Sequence, residues 1–220
     1  MKTAFLTALF ASLLAAILGG CTPREMTGPG TAPATENPPA QITERDNFVA
    51  ALDRIGLEKA PTLGPAYHDF LLAAFDKNFD RAWDLINQPG KDALTRELPG
   101  KIAELEAVTK RMQAELQKPD ISRGARDYYT RSCAENKELI PLLKSFNGDG
   151  KKYFAFAMEK TAAGRLSAEV LSQMEITGET INGDRGAIAL KYKDAGTTGQ
   201  IPFTRENGAW KFDLMETAAP

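Results

Sequence analysis

At Asn147-Gly148-Asp149-Gly150 the apolar period of this chain changes, and that change sets its fold class. Upstream, apolar residues recur at three- and four-residue steps, the spacing that lines one face of a helix. Downstream, the strand reading dominates from Arg165 onward. Asn182-Gly183-Asp184, Asp194-Ala195-Gly196 and Glu206-Asn207-Gly208 are hairpin-type turns between short alternating runs. Helices followed by strands, rather than alternating with them, predict an α+β domain.

In the helical part, Phe48, Leu52 and Ile55 predict a short helix that Gly56 stops. Residues 61–65 form a turn. From Tyr67 to Ile86 the stripe Tyr67, Phe70, Leu71, Ala74, Phe75, Phe79, Ala82, Trp83 and Ile86 predicts one core-facing amphipathic helix, closed by Asn87, Pro89 and Gly90. Residues 92–98 continue helically until Pro99-Gly100 breaks the run. Ile102, Leu105, Met112 and Leu116 then give 101–118 a narrow seam, as in a surface helix or one arm of a helical hairpin. Pro119-Asp120 caps a further helix carrying Tyr128, Tyr129, Cys133, Leu139 and Ile140, which Pro141 kinks or restarts. Residues 152–160 fit helix or strand. The predicted strands lie within 169–182, 187–192, 200–204 and 210–214.

The N-terminal segment concerns location. Lys2 precedes an apolar run over 4–18, shorter than the roughly 20 residues a membrane span needs but suited to a signal peptide. It ends in Leu18-Gly19-Gly20-Cys21, which resembles a bacterial lipobox. The resemblance implies that 1–20 is a lipoprotein signal peptide and that Cys21 carries acyl chains such as palmitate. Several chains hold a small domain essentially permanently, since each buried methylene contributes about 0.8 kcal/mol. Thr22 stands where an inner-membrane retention signal resembles Asp. A cell-envelope protein anchored in the outer membrane is therefore expected, with either the periplasmic or the surface face open. Residues 21–45, with Pro23, Gly28, Pro29, Gly30, Pro33, Pro38 and Pro39, read as a tether too poor in apolar groups to fold. Residues 46–217 remain for a single domain.

The chemistry is sparse. Across 220 residues the chain is 43% hydrophobic, enough for a core, with a net charge of −2. Lys and Arg are spread among acids with no basic stripe, which argues against nucleic acid. With Cys21 acylated, Cys133 has no disulfide partner and reads as a buried inert thiol. His68 is the sole histidine and sits near a helix start, where a surface or capping role outweighs catalysis. No phosphate loop, nucleophile elbow or calcium loop is present, so no catalytic residue, metal or cofactor is expected. Asp213 alternates with Phe212 and Leu214 and is expected to face solvent.

Two stretches carry a family likeness. They are Phe70-Leu71-Leu72-Ala73-Ala74-Phe75-Asp76-Lys77-Asn78-Phe79-Asp80-Arg81-Ala82-Trp83 and the closing Asn207-Gly208-Ala209-Trp210-Lys211 hairpin. Their order resembles the nuclear-transport-factor-2-like, cystatin-like cone fold, and in particular bacterial lipoproteins of unknown function that bear it; the first stretch looks like that family's first helix pair, with a short polar turn between the two. The likeness implies N-terminal helices packed on a curved antiparallel sheet, with 91–150 as an enlarged helical insertion that lids the cone, forms a partner-binding hairpin or belongs to another topology. The cone's concave mouth is a natural small-ligand pocket. Tyr128, Tyr129, Phe154 and Trp210 are the candidate ligand-binding residues, although Trp210 more simply anchors the sheet. The leading functional expectation is a non-enzymatic binding or scaffold domain for a small apolar ligand or another envelope protein. An immunity-type or inhibitory lipoprotein with one protein partner, and a cryptic enzyme of the cone superfamily, are the alternatives.

Overall fold

The four predicted strands form one open antiparallel sheet in the order β1-β2-β3-β4. The computed structural model describes residues 43–161 and 166–214; the leader, Cys21 and most of the tether lie outside these residues. Seven described α-helices precede the sheet: α1 (Glu44–Leu52), α2 (Gly64–Phe75), α3 (Phe79–Asp84), α4 (Gln88–Leu116), α5 (Arg123–Ser145), α6 (Gly150–Thr161) and α7 (Ala168–Ser172). A 3-10 turn, Leu57–Lys59, links α1 to α2. The strands are β1 (Met174–Asn182), β2 (Arg185–Tyr192), β3 (Thr198–Glu206) and β4 (Ala209–Phe212). The class is α+β.

Local chemistry accounts for most boundaries. Thr43 and Asp46 close a capping box on α1, and Gly56 ends that segment at φ 92°. Gly183 at φ 62° opens the β1–β2 loop, and Asn207 and Gly208, both at positive φ, make the β3–β4 turn. The single helix expected from Tyr67 to Ile86 is instead two. Lys77 adopts φ 55°, and the N–H groups of Lys77 and Asn78 return to the carbonyls of Ala74 and Ala73. That pattern closes α2, and Asn78 then caps α3 by accepting from Arg81 N at 3.1 Å.

The break expected at Pro99-Gly100 does not occur, and no restart occurs at Pro141. Asn87 starts α4 rather than ending α3, and α4 runs unbroken through Pro99-Gly100 for 29 residues. Pro99 withholds an N–H from the carbonyl of Thr95, a loss of about 3 kcal/mol in an isolated helix. Packing of α4 on α5 and α6 outweighs it. α5 likewise continues through Pro141, and its cap is Ser122 rather than Pro119-Asp120. Residues 152–160 are helical. The strand reading from Arg165 also starts too early: Ser167 caps the short helix α7 before β1 begins.

The core has two parts that share α2. Tyr67 and Leu71 join Phe48, Leu52, Ile55 and Leu63 in packing against Ile176, Ile188, Leu190 and Phe203 of the sheet. Burial pushes the Tyr67 phenol well above its ordinary range. On the other side, Phe70, Ala73 and Ala74 pack with Ala82, Ile86, Leu94, Phe154 and Met158 of the helical layer. Phe212 touches both groups and stacks on Phe70 at 4.9 Å. β1 carries a bulge between Ile176 and Gly178, which bends that strand.

The closest helix approach sets a test. A Cβ on Gly150 would overlap Thr95 Oγ1 and lie 3.0 Å from both Thr95 Cα and N. Gly150→Ala should therefore push α6 off α4 and destabilise the protein by about 1–3 kcal/mol in urea unfolding, whereas the open-space Gly124→Ala should not.

Candidate functional site

The sheet reaches across to hold the helices. Glu179 of β1 accepts from the N–H groups of Thr62 and Leu63 at 2.8–3.2 Å, at the start of α2. Glu206 of β3 accepts from Gln88 N at 2.9 and 3.1 Å, at the start of α4. Both carboxylates sit where the helix dipole favours negative charge. At the α3–α4 joint, Asn87 N donates to Phe212 O at 3.0 Å and Phe212 N donates to Leu85 O at 2.8 Å. Asn87 is 1% exposed; its Oδ1 accepts from Gly90 N, while its buried Nδ2 has no partner. Lys211 Nζ donates to Asp84 O at 2.7 Å at the end of α3. The root of α4 is thus bolted to the last strands.

Beyond that root, α4 and α5 form a helical hairpin. α4 is buried at Gly90, Ala93, Leu94 and Leu98, and α5 at Leu143. Between them, over residues 99–142, Met112 is the only fully buried residue. The arm is held by its own seam. Thr109 Oγ1 donates to Leu105 O at 2.7 Å and accepts from Asn136 Nδ2 at 2.9 Å. Cys133 Sγ lies 3.9 Å from Thr109 O, and Lys144 pairs with Glu106 at 2.6 Å. Cys133 is half-buried in this polar layer, not enclosed in an apolar core as expected.

The four candidate ligand residues fall in three places. Tyr128 is 58% exposed on α5, with Tyr129 beside it at 5.6 Å. Phe154 lies in the helical core, 5.6 Å from Trp83. Trp210 is half-buried against the sheet-side core. Asp213 does not simply face solvent; it is half-buried and accepts from Thr204 Oγ1 at 2.7 Å across β3 and β4. His68 lines a shallow recess of about 220 Å³ with Leu57, Pro61, Gly64 and Pro65. That volume is below the roughly 300–1,000 Å³ usual for small-ligand sites. Among the described residues no three His, Cys, Asp or Glu side chains are grouped to hold a metal ion, and no helix is long and apolar enough to cross a membrane.

No protein-family model, curated protein or solved structure matches this chain. Its surface therefore has to speak for itself. One titratable pair stands out at the base of the arm. Glu97 Oε2 is buried with no hydrogen-bond partner among the described residues, and burial raises the carboxyl above its ordinary range, with Lys101 opposing and Glu104 adding. Tyr153 of α6 is pushed up to about 12 by burial and then by the nearby charges of Glu97 and Glu104. Neither residue lines the recess beside His68. The other feature is electrostatic. Six cations, Lys110, Arg111, Lys118, Arg123, Arg126 and Arg131, meet three carboxylates over residues 110–131, a net charge of +3 on a chain of net charge −2. All six are exposed. The excess is countable in the sequence over 110–131; the fold adds that this stretch straddles the turn from α4 to α5 and so stands at one end of the arm.

The Glu97 carboxyl yields a pH test. A raised folded value means that the penalty is absent below the ordinary glutamate range and complete above the raised value. Glu97→Gln should thus stabilise the protein at pH 7.5 by less than about 1 kcal/mol, the half-exposed group being partly screened. At pH 4 the gain should vanish, as measured by paired thermal unfolding curves.

Proposed function

We propose that this is a lipid-anchored cell-envelope protein whose domain is a non-enzymatic binding or scaffold module, held at the outer membrane through Cys21. The observation that carries the reading is the α4–α5 arm: across 44 residues, 99–142, it buries only Met112. An arm that contributes so little to the core, yet is bolted at its root, is organised for contact with something outside the molecule. Tyr128 and Leu142, exposed at 58% and 43%, lie on its α5 side. The small open recess beside His68 gives a protein partner more support than an apolar small ligand. We read the helices and sheet as a variant of the nuclear-transport-factor-2-like cone in which the arm is the enlarged segment. The helices-then-meander order, the bulge in β1 and the apolar face Ile176, Ile188, Leu190 and Phe203 support that reading.

Two measurements test it. Metabolic labelling with a clickable fatty acid should mark the wild-type chain and leave Cys21→Ser unmarked. Cross-linking in the membrane fraction should yield one discrete adduct, lost on Leu142→Glu with folding unchanged by circular dichroism. An unlabelled wild-type chain, or an adduct pattern indifferent to the arm, would refute the respective half.

A further inference from the structure

The outer end of the arm combines charge, aromatic exposure and reach in a way the proposed role does not by itself require. Lys110, Arg111, Arg123, Arg126 and Arg131 form no ion pair among the described residues; Lys118 pairs only with Glu115. All six cations lie within about 12 Å of the hairpin end along its axis, at 1.5 Å per residue. The end holds +3 while the remainder of the chain holds −5, so a polyanionic surface attracts the end and repels the body. Tyr128 is exposed at the same end with Tyr129 beside it, and tyrosine suits the layer between water and acyl chains.

Reach is compatible with such a surface. From Pro99 to Leu116 the arm is about 26 Å long. The 21 residues between Cys21 and Thr43 can extend at most about 70 Å, so they allow the arm end to meet the membrane that holds the anchor. We infer that the end of the α4–α5 hairpin docks on anionic phospholipid headgroups, with Arg123, Arg126 and Arg131 on α5 and Lys110, Arg111 and Lys118 from the α4 side facing phosphate and Tyr128 entering the headgroup layer. This names a lipid surface as a partner of the arm and rests on the envelope-anchored reading. Docking orients the domain, so that the flank bearing Leu142 is held at a fixed height above the bilayer. A nucleic acid offers the same phosphate charge, but the anchor of the proposed reading puts a lipid surface, not a nucleic acid, within reach of the arm.

The test uses the acylated full chain, purified from membranes and reconstituted into vesicles. One set contains phosphatidylglycerol with phosphatidylethanolamine, the other phosphatidylcholine alone. Amide hydrogen exchange over residues 118–131 should slow about fivefold or more on the anionic vesicles only. It should recover in about 0.5 M salt, where the Debye length falls to about 4 Å. R123E/R126E/R131E should remove the protection; if that variant loses helicity, K110E/R111E gives the same readout from the other helix. Equal exchange on both lipids, unchanged protection in the variants, or protection by duplex DNA but not by anionic vesicles overturns the proposal. Flotation with phosphatidylcholine vesicles reports the acyl anchor separately. A chain that floats there but shows no anionic protection has its anchor and lacks the docking end. One that floats only on anionic vesicles, and only at low salt, has the reverse.

Discussion

Burial of α2 along two adjacent faces, one for each core, is the constraint that the rest of this fold depends on. Tyr67 and Leu71 face the sheet-side core, and Phe70, Ala73 and Ala74 face the helical core. Neither layer closes without it, because the sheet has one apolar face to cover and α3, α4 and α6 have one apolar stripe each. Truncation of a large residue on this helix therefore opens cavities that the opposite layer cannot collapse into.

Carboxylates and one lysine from the strands then fix where the helices point. Glu179, Glu206 and Lys211 meet α2, α4 and α3 at their termini, where backbone N–H and C=O groups have no partner inside the helix. The clamp on α4 matters most for function. A 29-residue helix that is buried along its first third and beyond that only at Met112 would be free to swing if its root were loose. Glu206, Asn87 and the Ile86–Phe212 bridge hold that root on the last two strands, so the arm projects in a defined direction. The polar layer of Thr109, Cys133 and Asn136 sets the register of the hairpin, and that register decides which cations meet at its end.

Several local features were legible in the residues themselves. The Asn-Gly turns and the stops at Gly56 and Gly148 follow from backbone sterics, which act within a few residues, whereas the change of period expected after Gly150 comes only at Met174, because α6 and α7 intervene. The misreadings have separate causes. Pro99 and Pro141 are helix breakers in isolation, yet helices continue through both because the packing free energy of long helices exceeds the loss of one hydrogen bond. Lys77 ends α2 in a conformation that its residue type does not announce, and Asn78 beside it carried the available signal. The short helix α7 was hidden because five residues are too few to show a helical period. None of the four candidate ligand residues lines the described recess, since residue type alone cannot tell an aromatic that packs from one that faces solvent.

By itself, the sequence determined the α+β class, the order of helices before an antiparallel meander and the apolar positions that form the core. Those depend on short-range periodicity and turn sterics, written into neighbouring residues. Tertiary structure alone decided that α2 serves two cores, that strand carboxylates cap helices more than 110 residues away in sequence, and that the basic stretch 110–131 stands at the end of a helical arm. Those are consequences of chain reversal and long-range packing, which bring together groups whose separation along the chain carries no local signal.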